Sequence, residues 1–147
     1  MGTLLDLRGT IPPAELNAVK LNDVPFCITY VFPAKDFDAD WTEIIESPAG
    51  FRGRVRSIMI YDVTETFNSV TTEASILVGI SGDTNAFVTS ADLGDLAATA
   101  SDSPTLTDGV TLIIPIGTTI HVTGVAPTGG SPDTGIATIA VTIQYFK

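Results

Sequence analysis

Three aspartates at alternate positions, Asp36, Asp38 and Asp40, form the chain's most suggestive chemical spacing. D-x-D-x-D opens the loop of a helix–loop–helix calcium site, where carboxylates two residues apart converge on one cation. Such a loop also needs a glycine and, at its end, a bidentate glutamate; Trp41 and Ser47 stand at those places. The spacing therefore reads as a solvated acidic turn, with calcium held by some other loop geometry as the lesser alternative, and no metal is expected. His121 is the only histidine, and any histidine-dependent mechanism would have to use it. It shares a polar face with Thr119 and Thr123, no G-x-S-x-G motif is present, and zinc would need three or four ligands from a chain with one His and one Cys. Cys27 is flanked by Phe26 and Ile28, which suggests a buried, inert thiol. Gly129-Gly130 and Gly79-x-x-Gly82 lack the lysine of a phosphate cradle and read as turn glycines. Catalytic residues and cofactors are expected to be none.

The remaining chemical cluster is cationic. Arg52, Arg54 and Arg56 lie on one face of a strand-like segment. A wet sheet face, or protection of a sheet edge, is the ordinary account. A salt-bridge patch facing an acidic partner, or a neighbouring copy of the chain, is the sharper one. The second is favoured by the one-sided charge of the rest: 7 basic residues against 17 acidic ones, net −10, with no Lys or Arg from 57 to 146. Nucleic-acid binding needs clustered cations along a backbone and is not expected of the main domain. The acidity also disfavours anionic membranes, and no apolar run reaches a bilayer's thickness. The first residues lack the pattern of a signal peptide, which suggests a protein made in a cytoplasm.

These residues must be placed by strands. Alternation is clearest from Ala137 to Tyr145, with Ala137, Ile139, Val141, Ile143 and Tyr145 on one face and Thr138, Ala140, Thr142 and Gln144 on a wet one. Thr118 to Ala126 alternates too, and the turn residues between them suggest a β-hairpin. Further strands are expected at Phe26–Phe32 (broken by Pro33 to Asp36), Trp41–Glu46, Phe51–Phe67, Glu73–Ile80 and Ala86–Thr89, with an apolar run at Val110–Ile114. Ser90 to Ala97 could form one or two helical turns. The spacing predicts an all-β fold, an antiparallel sandwich resembling a jelly roll of about eight strands.

Residues 1–25 show no sustained period, yet carry Leu4, Leu5, Leu7, Ile11 and Leu16. They are too apolar for a solvated tail. An extended N-terminal arm ordered by lying on another subunit fits them, as does a small first strand packed on its own domain. Residues 26–147 then form a single sandwich domain.

Gly50-Phe51-Arg52-Gly53-Arg54-Val55, Ile60-Tyr61-Asp62-Val63-Thr64 and Val78-Gly79-Ile80-Ser81-Gly82-Asp83 resemble segments of small jelly-roll virion proteins of tailed bacteriophages. The resemblance continues from Ile114-Pro115 through Val125-Ala126-Pro127-Thr128-Gly129-Gly130 to Val141-Thr142-Ile143-Gln144-Tyr145-Phe146. It is a pattern of strands and turns over residues 50–146, and it implies a capsid decoration (cement) protein without enzymatic activity. The partners it implies are a major capsid protein and two further copies in a homotrimer, and the place it implies is the phage capsid. Attachment is expected to use the arm with Arg52, Arg54 and Arg56. The alternative is a receptor- or glycan-binding tip of a phage fibre or spike, using the loops 102–108 and 128–135.

Overall fold

β-branched residues alternating with threonine favour pleated, half-covered strands over helix, and no helix occurs among the described residues. A computed structural model describes residues 24–67, 71–94, 96–107, 113–129 and 135–147. Eight strands follow in order: β1 (Phe26–Asp36), β2 (Trp41–Glu46), β3 (Arg52–Glu65), β4 (Ser75–Ile80), β5 (Asp83–Asp92), β6 (Ile113–Ile114), β7 (Thr119–Val125) and β8 (Ile136–Phe146).

They form two four-stranded sheets, a front sheet ordered β1-β8-β3-β6 and a back sheet ordered β2-β7-β4-β5. Every pairing is antiparallel. β1 pairs with β8, β2 with β7, β3 with β6 and β4 with β5. This is the pattern of one long ribbon folded on itself. Rolling the ribbon adds the β3·β8 and β4·β7 ladders and closes two sheets over one core. The all-β sandwich is therefore a jelly roll.

β7 and β8 do not form the expected hairpin. They are inner strands of opposite sheets, so the ten residues between Val125 and Ile136 connect two layers. That connection is far longer than the two to five residues of a tight hairpin, long enough to span two packed sheets. The wet face expected along β8 is also partly covered: Thr138 and Ala140 are buried on a strand flanked on both sides by β1 and β3. β1 passes the expected break at Pro33. A bulge between Phe32 and Lys35, with Ala34 at φ 47°, absorbs the irregularity, and pairing resumes at Lys35 and Asp36.

β3 changes which of its residues face the core twice along its length. Gly53 and Val55 point inward at odd positions. Between Val55 and Ser57 the register slips at Arg56, and Ile58 and Ile60 then point inward at even positions. A second irregularity after Tyr61, with Asp62 at φ 50°, turns Val63 inward again. Each extra residue reverses which face the following side chains take.

The core is filled from both sheets by Ile58, Ile60, Ile139, Val141 and Ile143 facing Ile76, Val78, Ile120 and Val122. One end is closed by three rings in series. Phe37 meets Trp41 edge-on at 5.3 Å and Phe67 at 5.1 Å. Each flanking ring sits where a neighbour has no side chain: Trp41 over Gly124 and Phe67 over Gly135. Contacts of this geometry add about 0.5–1.5 kcal/mol each beyond burial.

The two sides of the sandwich are closed differently. On the β1/β2 side Lys35 pairs with Glu43 and lies 5.3 Å from the centre of the Trp41 ring. On the other side residues 99–107 run between the layers. Thr99 donates to the carbonyl of Val63, Ile60 and Asp102 exchange backbone hydrogen bonds, and Thr107 donates to the carbonyl of Phe87.

Candidate functional site

Residues on the outer face of the front sheet are set by ladder register. Three cross-strand rows result: Cys27–Gln144–Arg54, Thr29–Thr142–Ser57 and Val31–Ala140–Met59. The second row is tied by a 2.9 Å hydrogen bond between the Thr29 and Thr142 hydroxyls. In the third, Val31 and Met59 are 49% and 48% exposed on either side of Ala140, which makes an apolar row in contact with water. Arg52, Arg54 and Arg56 lie toward one end of this face, all exposed. Ile113 of β6 stands beside Arg54 in the ladder. None of the three guanidinium groups has a carboxylate in ion-pair distance among the described residues.

The arginine cluster is thus where the sequence placed it, with one refinement: Arg56 occupies the bulge, so only Arg52 and Arg54 keep the regular register. Leu4, Leu5, Leu7, Ile11 and Leu16 lie outside the described residues. Cys27 is not buried. It is exposed on β1, because Ile28, Tyr30 and Phe32 take the inward positions and the odd-numbered residues point out. Apolar neighbours in sequence misled here; strand parity was the better guide. The Val31–Ala140–Met59 row was missed, since it joins three strands that are distant in sequence. Its one visible signal was Val31, an aliphatic residue out of phase with the inward face.

Charge is divided between the ends of the sandwich. Asp36, Asp38 and Asp40 in the β1–β2 turn, Asp62 and Glu65 at the far end of β3, and Glu73 before β4 share one end. The opposite end carries Arg52, Arg54, Arg56 and Lys147, with Glu46 and Asp83 nearby. The aspartate turn is built as a turn. Asp36 Oδ1 accepts a hydrogen bond from the Asp38 amide, and Asp40 Oδ1 accepts one from the Ala126 amide at 2.8 Å. These carboxylates hold backbone, and among the described residues no group of three His, Cys, Asp or Glu is arranged to hold a metal ion.

His121 lies half-buried on the outer face of the back sheet, its Nε2 3.3 Å from Thr119 Oγ1. Its cross-strand neighbours are Ile44 and Gly79, neither able to act as a nucleophile or an acid.

At the arginine end, Tyr145 is fully buried, and its hydroxyl lies 2.9 Å from that of Tyr30. Burial, then the hydrogen bond and charge of Tyr30, push the Tyr145 phenol well above its usual value, and Ser47 opposes weakly. The folded chain therefore keeps a proton that the unfolded chain releases above pH of about 10. The stability from this group is intact below that pH and is lost as pH rises beyond it. Tyr145→Phe is expected to lose about 1 kcal/mol at neutral pH and to show a shallower alkaline decline, read from urea midpoints across that range.

No protein-family model, curated protein or solved structure matches the chain.

Proposed function

We propose that this protein is a structural component of a phage virion: a capsid decoration (cement) protein that binds the head and neighbouring copies of itself and stabilises the shell. The observation that carries this reading is the outer face of the front sheet, which bears an exposed apolar row and, beyond the Thr29–Thr142–Ser57 row, three arginines without a carboxylate in ion-pair distance among the described residues, on a chain of net charge −10. Depletion of acidic groups around an apolar centre is what a protein-binding surface needs. The jelly-roll strand order is one shared by viral capsid and lectin domains. That is a likeness of fold, which supports the reading without assigning it.

Energetically the role suits a modest contact made many times. A stable protein interface buries about 1,200–2,000 Å², and repeating it over a closed shell adds the gains together. Attachment to the shell falls to the leucine-bearing segment before β1. Purified chain is expected to co-sediment with phage heads stripped of it and to raise the temperature at which they rupture. A chain lacking residues 1–20 is expected to keep its melting transition and stay in the supernatant. Full-length chain left in the supernatant would defeat the reading, and equal pelleting of the shortened chain would remove the segment from it.

A further inference from the structure

We infer that copies of this chain meet head to tail, the arginine stripe and apolar row of one copy seating on the acidic end of the next. The inference rests on the self-association within the proposed function and does not depend on the shell.

Three observations lead to it. The first is the separation of charge: among the described residues four cations gather at one end of the sandwich, with Glu46 and Asp83 near them, and six carboxylates at the other, where Lys35 is paired with Glu43. Such a molecule carries both halves of a complementary contact on separate surfaces, one on a sheet face and one at the far end of the strands. The second concerns symmetry. A two-fold contact centred on the stripe would set Arg52 and Arg54 of one copy against the same residues of its mate, and like charges so placed repel. A heterologous contact sets unlike charges together instead, and one that closes into a ring leaves neither patch open. The third is the apolar row. Val31 and Met59 are each about half exposed, and the acidic end offers Ala39 exposed between Asp38 and Asp40, with Pro33 and Ala34 exposed just before Asp36. The contact then joins an uncharged part to a charged one.

Sedimentation velocity on the whole chain tests this. Wild-type chain is expected to associate most tightly at low salt, where charges reach about 30 Å, and more weakly at physiological salt, where they reach about 8 Å. Arg52→Glu with Arg54→Glu is expected to weaken association by about 100-fold. Asp38→Lys with Glu65→Lys is expected to do the same, leaving the Asp40 cap on Ala126 intact. An equimolar mixture of the two double variants is expected to recover a complex that neither forms alone. Melting temperatures close to wild type certify that both variants are folded.

Each contrary result has its own meaning. Arginine variants that associate like wild type overturn the contact while leaving self-association in place. A wild-type chain that stays monomeric overturns the contact and self-association together. Arginine variants that keep their oligomeric state but no longer pellet with heads overturn it too, and assign the stripe to the shell.

Discussion

Gly135→Ala is expected to lower the stability of this fold by about 2–5 kcal/mol, the sum of two independent penalties. Gly135 stands at φ +84°, a backbone conformation that costs a residue with a Cβ about 1–2 kcal/mol. A methyl group there would also lie 2.3–2.5 Å from three ring carbons of Phe67. That ring has nowhere to go, being buried and edge-on to Phe37. For a chain of this size the loss corresponds to a melting temperature lower by roughly 5–15 °C. Calorimetry of Gly135→Ala, Phe67→Ala and the double variant separates the causes. Phe67→Ala alone should lose about 3–5 kcal/mol. The double variant should lose less than the sum, since truncating the ring removes the overlap. A melting temperature for Gly135→Ala within about 2 °C of wild type would contradict the packing described here.

Gly79→Ala is expected to cost about 3 kcal/mol by a different route. Its backbone is ordinary, but a Cβ would lie 2.1 Å from the carbonyl oxygen of Asp83 and 2.3 Å from the carbonyl carbon of Thr84. These are main-chain atoms, which cannot rotate aside like a side chain, so the start of β5 must lift from β4. The pairing of Ile80 with Asp83 would be the first lost. Gly82, in the turn that follows β4, provides the contrast: its φ is +91° and nothing lies within 4 Å of an added Cβ. Gly82→Ala should therefore cost only about 1–2 kcal/mol, all of it conformational. Amide exchange should accelerate along β4 and β5 in Gly79→Ala and stay near wild type in Gly82→Ala. Equal protection in both would mean that the strands tolerate the methyl group.

Much of the architecture was legible because alternation in this chain is strong. Trp41–Glu46 is a strand with the bounds its pattern suggests, and Ala137 through Tyr145 turn inward as their parity requires. What alternation cannot carry is partnership. Whether β7 pairs with β8 depends on which strands the roll brings together, and each found another partner in a different sheet. Pairing also overrode local preference at Ser90–Ala97, where helical turns were expected. β5 instead continues to Asp92, because Ala91 and Asp92 find Ile76 and Ser75 on β4. The candidate surface divides in the same manner. The exposure of Arg52, Arg54 and Arg56 followed from strand parity alone. The apolar row on the same face did not, since Val31, Met59 and Ala140 become neighbours only once β1, β3 and β8 are in register.

The pairing of the first strand with the last also governs how this chain can acquire its structure. Tyr30 and Tyr145, joined through their hydroxyls, are 115 residues apart in sequence, and β1 has no partner in the front sheet until β8 is made. During synthesis the chain through β8 must therefore emerge before that sheet can form, and the edges of β1 and β3 that β8 will join stay uncovered until then. Folds dominated by such distant pairings reach the native state in milliseconds to seconds, far more slowly than helical bundles. Through that interval sparing use of lysine offers little defence against sticking to other nascent chains, and mutual repulsion from a net charge of −10 is the safeguard the molecule carries.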